Sequence, residues 1–94
     1  MLWLIIARDG TDERAPARRQ AARAAHLEGA RALSESGRMP IGGALLGDGG
    51  TMIGSMLVIE AADEAEIRAL IENDVYSTGD VWRSVEIHPF KRAF

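Results

Sequence analysis

The sequence contains no cysteine. That excludes a disulfide scaffold, a thiolate metal site and a cysteine nucleophile. It has only two histidines, so a zinc centre would need both plus carboxylates, and His26 and His88 stand at no ligand spacing. No metal and no cofactor are expected. Basic charge is also scarce: 11 Lys and Arg face 14 Asp and Glu, for a formal net charge of -3. Nucleic-acid binding needs a basic face, so nucleic acid is not an expected partner. Long apolar runs are missing. Met1 to Ala7 falls far short of the roughly 20 residues that span a bilayer, and its first charge, Arg8, follows the run, whereas a signal peptide carries its charge first. A buried first strand, no membrane partner and a cytoplasmic location are the expectations. There is no phosphate-cradling glycine fingerprint. Ser34, Ser36 and Ser77 lack a nucleophile-elbow context. Neither an internal repeat nor a low-complexity linker interrupts the chain.

What is present suits one domain spanning residues 1–94. Apolar residues make up 47% and charged residues 27%, enough apolar surface to offset the entropy of ordering. Residues 2–8 are rich in Ile, Leu and Trp and read as a strand. Asp9-Gly10-Thr11-Asp12 is a turn cluster. From about residue 14 to 35 helix formers dominate, with Pro16 tolerable only in the first turn and Gly37 a left-handed cap. Arg38–Leu46 reads as a second strand, weakened by Pro40, Gly42 and Gly43, and Gly47–Gly50 as a hairpin connection. Met52–Ala61 is a third strand. Asp63 and Glu66 have the capping-box spacing, and Ile67, Leu70 and Ile71 follow at helical spacing, so a second helix runs from about 63 to 73. Asn73–Asp80 is a loop with room for a short helical turn. Trp82–Phe94 is the last strand, with Pro89 marking a bend or an edge position.

The order β-α-β-β-α-β suits a ferredoxin-like α+β arrangement, an antiparallel sheet with both helices on one face. The first and third strands are apolar at nearly every position, whereas a half-exposed strand alternates. Two helices cover one face only, so a second copy packed sheet to sheet is the economical cover for the other. A homodimer is therefore expected, although Gly43, Gly54 and Ser55 soften the second face.

His26 lies mid-helix with Ala22, Ala30 and Leu33 at i−4, i+4 and i+7, which turns it toward the sheet. A buried imidazole needs a partner. Asp74 follows the apolar stripe of the second helix, where a carboxylate meets the negative end of the helix dipole unless a donor waits nearby. If the two meet, they form a dyad in which the carboxylate sets the imidazole tautomer; otherwise Asp74 is a turn residue and His26 a satisfied core histidine. Gly42-Gly43 and Gly54-Ser55 sit inside strands, where glycine marks a bulge or a close approach of ligand or backbone. Arg8 closes the first strand as an anion clamp or an ion-pair partner. The series Arg14, Arg18, Arg19, Arg23 reads as the solvated face of the first helix.

These residues resemble the YCII-related domain family along essentially the whole chain. The resemblance is carried by Ile-Ala-Arg-Asp-Gly at the start, Ala25-His26-Leu27-Glu28, Gly42-Gly43-Ala44-Leu45-Leu46, Ile53-Gly54-Ser55, Asn73-Asp74-Val75-Tyr76, and Val85-Glu86-Ile87-His88-Pro89-Phe90. Val75 stands where the family often has Pro. The resemblance implies a dimeric α+β barrel with a His26–Asp74 pair in a pocket between helices and sheet. One branch of the family eliminates chloride from a chlorinated hydroxyquinol, and related barrels include muconolactone isomerases. The expected function is a cofactor-independent lyase or isomerase acting on a small anionic or phenolic substrate. His26 and Asp74 are its candidate catalytic residues, and Arg8, Gly43, Ser55 and Tyr76 its candidate substrate-binding residues. The alternatives are a non-catalytic metabolite-binding or regulatory dimer, and a structural dimerising scaffold.

Overall fold

In a computed structural model that describes residues 1–94, the chain forms β1 (Leu2–Asp9), α1 (Ala15–Glu35), β2 (Ile41–Leu46), β3 (Met52–Glu60), α2 (Glu64–Glu72), α3 (Val75–Thr78) and β4 (Trp82–Phe90). The four strands make one sheet in the order β2-β3-β1-β4, and all three pairings are antiparallel. No helix is long and apolar enough to cross a membrane.

Local chemistry sets the element ends. Pro16 sits in the first turn of α1, where its missing N–H removes no helical bond. Gly37 adopts φ 81°. Its N–H donates to Ser34 O, and the Arg38 N–H donates to Leu33 O, which ends α1 in a Schellman pairing. Asp63 caps α2 by accepting from the Glu66 N–H at 2.9 Å, and Glu66 in turn accepts from the Ala62 N–H at 3.0 Å. Between β2 and β3 a 3₁₀ turn at Asp48–Gly50 holds Gly49 at φ 75° and Gly50 at φ 82°. The last strand stops at Phe90 rather than Phe94. It lies at a sheet edge, the setting in which Pro89 is tolerated, opposite Trp3.

Strand register sorts the residues by face. Trp3, Ile5 and Ala7 of β1 pair with Ile59, Leu57 and Ser55 of β3, and all six are buried on the helix side. Ile67 and Ile71 of α2 join them, with Tyr76 of α3 and with Val81 and Trp82. Core packing therefore concentrates under α2 and α3. The inward stripe of α1 reads Ala15, Arg19, Ala22, His26, Ala30, Leu33, small or polar at most positions. The helix-facing positions of β2 are Gly42 and Ala44, opposite Leu57 and Ser55. Small residues on both walls leave space between α1 and the β2–β3 half of the sheet.

The other face carries Leu2, Leu4 and Ile6 of β1, Met56 and Val58 of β3, and Ile41 and Leu45 of β2. Ile41 is 56% exposed. The C-terminal residues Lys91–Phe94 line a cavity over part of this face, together with Leu4 and Val58.

A candidate active site under the first helix

His26 and Asp74 meet. The imidazole Nδ1 lies 2.9 Å from Asp74 Oδ1 and 3.1 Å from Oδ2, a contact between residues 48 apart in sequence. Asp74 is not a carboxylate stranded at the C-terminus of α2. It is the N-cap of α3, where Oδ1 also accepts the Tyr76 N–H at 2.8 Å. The cap thus gives the carboxylate a backbone donor, the Tyr76 N–H, beside the imidazole. A carboxylate accepts only, so Nδ1 carries the proton in this pair. The neutral tautomer then leaves Nε2 with its lone pair free, and Nε2 has no hydrogen-bond partner in the chain.

Aromatic rings fix the imidazole plane. Tyr76 stacks on His26 with centroids 3.8 Å apart and planes 9° from parallel. Trp82 stands edge-on to His26 at 5.7 Å and to Tyr76 at 5.5 Å. Burial pushes the Tyr76 phenol above its ordinary 10.0, against the lowering pull of Arg19 and Arg23. The phenol is therefore neutral at physiological pH.

Beneath this stack lies a polar network. The Arg19 guanidinium donates to Asp9 Oδ1 at 2.9 Å and Oδ2 at 3.0 Å, and both side chains are almost fully buried. Its second terminal nitrogen donates to Ser55 Oγ at 3.1 Å, and its Cζ lies over the Tyr76 ring, 4.8 Å from the centroid. Trp82 Nε1 donates to the same Ser55 Oγ at 3.1 Å. With both lone pairs of Oγ engaged, the Ser55 hydroxyl proton is left to donate elsewhere, and Ser55 lines a cavity. Arg19 Nε is a buried polar atom with no partner.

That cavity measures about 400 Å³ and is lined by His26, Tyr76, Ser55, Gly43, Arg19 and Arg23, among others. Gly43 borders the cavity with its backbone: it pairs with Met56, so its missing side chain would lie on the opposite face of the sheet, where a Cβ would meet nothing within 4 Å. At Gly54, by contrast, a Cβ would lie 2.4 Å from Ala7 O of the neighbouring strand. A second cavity of about 320 Å³, between α1 and α2, reaches His26 from the other side and includes Asp74 in its wall.

Of the residues singled out in the sequence, the structure gathers His26, Asp74, Gly43, Ser55 and Tyr76 here. Arg8 is outside. Strand alternation turns Ala7 and Asp9 toward the helices and Arg8 to the opposite face, where it is exposed and lines a separate shallow depression. Arg19 and Arg23 correct the reading of the α1 arginines as one solvated face. Arg19 is 6% exposed, and Arg23 is half-buried in the cavity wall. A signal for Arg19 exists in the sequence, because it precedes His26 by seven residues and so shares its stripe.

A family model described as the YCII-related domain matches residues 1–91. Among solved structures, the chain is similar to 5-chloro-2-hydroxyhydroquinone dehydrochlorinase (TftG) from Burkholderia phenoliruptrix AC1100, described in complex with 2,5-dihydroxybenzoquinone. The two share 28% sequence identity over 99% of this chain and 96% of that one, with a TM-score of 0.88. No curated protein matches the sequence.

Proposed function

The chain belongs to the YCII-related domain family, and we propose that within it the protein is a cofactor-independent lyase or isomerase with His26 as general acid/base. The observation that carries the reading is the His26 Nδ1–Asp74 contact at 2.9 Å, on the wall of a cavity and with Nε2 free. A solved relative whose name describes a dehydrochlorinase, itself a lyase-type reaction on a hydroquinone, supports the same class.

In this reading Nε2 removes a proton from a small anionic or phenolic substrate. The electron pair of the broken bond delocalises as an enolate or phenolate, or expels a leaving group from the adjacent carbon with its own electron pair. Asp74 holds the tautomer and stabilises the imidazolium that forms. The Ser55 hydroxyl donates to the developing oxyanion. The imidazolium returns its proton to another atom of the intermediate in an isomerisation, or to water after an elimination. Tyr76 stacks behind the imidazole and keeps its plane fixed. The reading includes a homodimer that packs sheet to sheet, because the face away from the helices carries Leu4, Ile6, Met56 and Val58.

A panel of small phenols, hydroquinones and carboxylates, chloro-substituted members included, tests it by product formation. His26→Asn is expected to abolish turnover while the circular dichroism spectrum is retained. Asp74→Asn is expected to lower kcat by about 10²–10⁴-fold. Turnover that survives His26→Asn would remove this mechanism. Saturable binding with no product for any compound would favour a metabolite-binding role for the same cavity.

A further inference from the structure

The two cavities that meet at His26 differ in character. They share His26, Ala30, Met39 and Leu57, so they adjoin along those four residues as two arms on either side of His26. The first arm is lined by Arg19, Arg23 and Arg31 and by no carboxylate, in a chain whose formal net charge is -3. Arg19 is already neutralised by Asp9. Arg18, Arg38, Arg68 and Arg83 have carboxylate partners; Arg23 and Arg31, like Arg8, Arg14 and Arg92, have none, but only Arg23 and Arg31 of these five line this cavity. Two uncompensated guanidinium groups beside an apolar floor are a site for an anion. The second arm is walled by Leu33, Ile59, Leu70 and Ile71. Its carboxylate, Asp74, is engaged by His26 and the Tyr76 N–H, and it would repel an anionic head placed there.

We propose that the cleft takes an amphiphilic monoanion, with its anionic head on Arg23 and Arg31 and an apolar substituent extending past His26 into the arm between α1 and α2. The proposal rests on the preceding reading in using the same cleft, and adds the orientation and the class of compound. Charge fixes the direction: the head lies toward the arginines and away from Asp74. Apolar burial supplies the second determinant, since each methylene moved out of water into the Leu33–Leu70 arm contributes to binding.

Gly29 provides the decisive variant. It lines the apolar arm, and a Cβ there would meet nothing within 4 Å. Gly29→Leu therefore has room for its Cβ, places an isobutyl group at the wall of that arm and replaces a poor helix former with a good one. The probes are benzoate, 4-ethylbenzoate, 4-butylbenzoate and the neutral 4-butylbenzamide, with Kd measured by calorimetry. In the wild type, Kd is expected to fall by up to about fourfold per added methylene, and the amide to bind about tenfold more weakly than its carboxylate. Gly29→Leu is expected to flatten the chain-length gradient and keep the carboxylate preference. The double variant Arg23→Gln/Arg31→Gln is expected to do the reverse.

Equal affinity for all four probes, no saturable binding, or a full gradient in Gly29→Leu would overturn the proposal. The same titrations in His26→Asn separate the two readings. If the gradient persists there but turnover persists too, the cleft assignment stands and the acid/base mechanism falls. If turnover depends on His26 but the gradient is absent, the mechanism stands and the amphiphile falls.

Discussion

Arg19 shows how a single residue can organise a site without being the reacting group. Its guanidinium reaches Asp9 on β1, Ser55 on β3 and the face of Tyr76 on α3. Removing one partner of a buried pair strands the other charge. Arg19→Met is therefore expected to lower stability by about 3–5 kcal/mol, and adding Asp9→Asn to recover most of that loss. Urea midpoints of the two variants check this; an equal loss in the single and double variants would count against a coupled pair. Tyr76 supplies a pH prediction. Its folded phenol is raised above 10.0 by burial, so folding favours the protonated form. That contribution is complete below 10.0 and is lost as the pH rises through the folded value. Tyr76→Phe is expected to remove this part of the alkaline decline in Tm, read as a shallower slope of Tm against pH above 10.0. At this scale the sequence was only partly legible. The inward turn of His26 followed from Ala22, Ala30 and Leu33, but the burial of Arg19 did not follow from its charge. A long amphipathic side chain can bury its stem and head wherever a carboxylate awaits it.

Elements explain why the pair is rigid. Asp74 serves two structures at once, capping α3 through Tyr76 N–H and anchoring His26 on α1. Asn is as good an N-cap as Asp, and Ala is a poor one. Asp74→Asn is therefore expected to keep the α3 cap while altering the imidazole partner, and Asp74→Ala to cost about 1 kcal/mol more in stability. Comparing the two by thermal denaturation separates capping from charge; equal losses would mean the cap contributes nothing. The α2 helix was readable end to end, because its Asp63 cap and its Ile67, Leu70, Ile71 stripe are all local signals. The α3 turn was foreseen only as room within a loop. Four residues carry too little periodicity to define a helix, yet this one supplies the Tyr76 N–H that Asp74 accepts.

For the whole molecule, the unresolved demand is the face away from the helices. Leu2, Leu4 and Ile6 are half-buried there, and Ile41 and Phe90 are 56% and 40% exposed. On the proposed homodimer, sedimentation is expected to give twice the chain mass of 10.2 kDa. Leu4→Glu, which puts a charge at the middle of that face, is expected to shift the protein toward monomer. A wild type that sediments as a monomer at all concentrations would refute the sheet-to-sheet assembly.

The sequence by itself determined the element order, the antiparallel sheet and most helix ends. Those depend on periodicity, caps and turns within a few residues of each other. It also pointed to the face of α1 on which His26 lies, since the helical period assigns it; it set Ser55 on the uncovered face of the sheet, whereas the register turns Ser55 to the helix side and Gly43, paired with Met56, away from it. Tertiary structure alone decided which of those faces meet. His26 and Asp74 are 48 residues apart, Arg19 and Ser55 are 36 apart, and Ser55 and Trp82 are 27 apart. Their distances follow from how α1 stands off β2 and β3 over small side chains. The same register sent Arg8 to the far side of the sheet and brought Asp9, its neighbour, to Arg19. Spacing in a chain assigns a side chain to a face; packing between elements decides what that face touches.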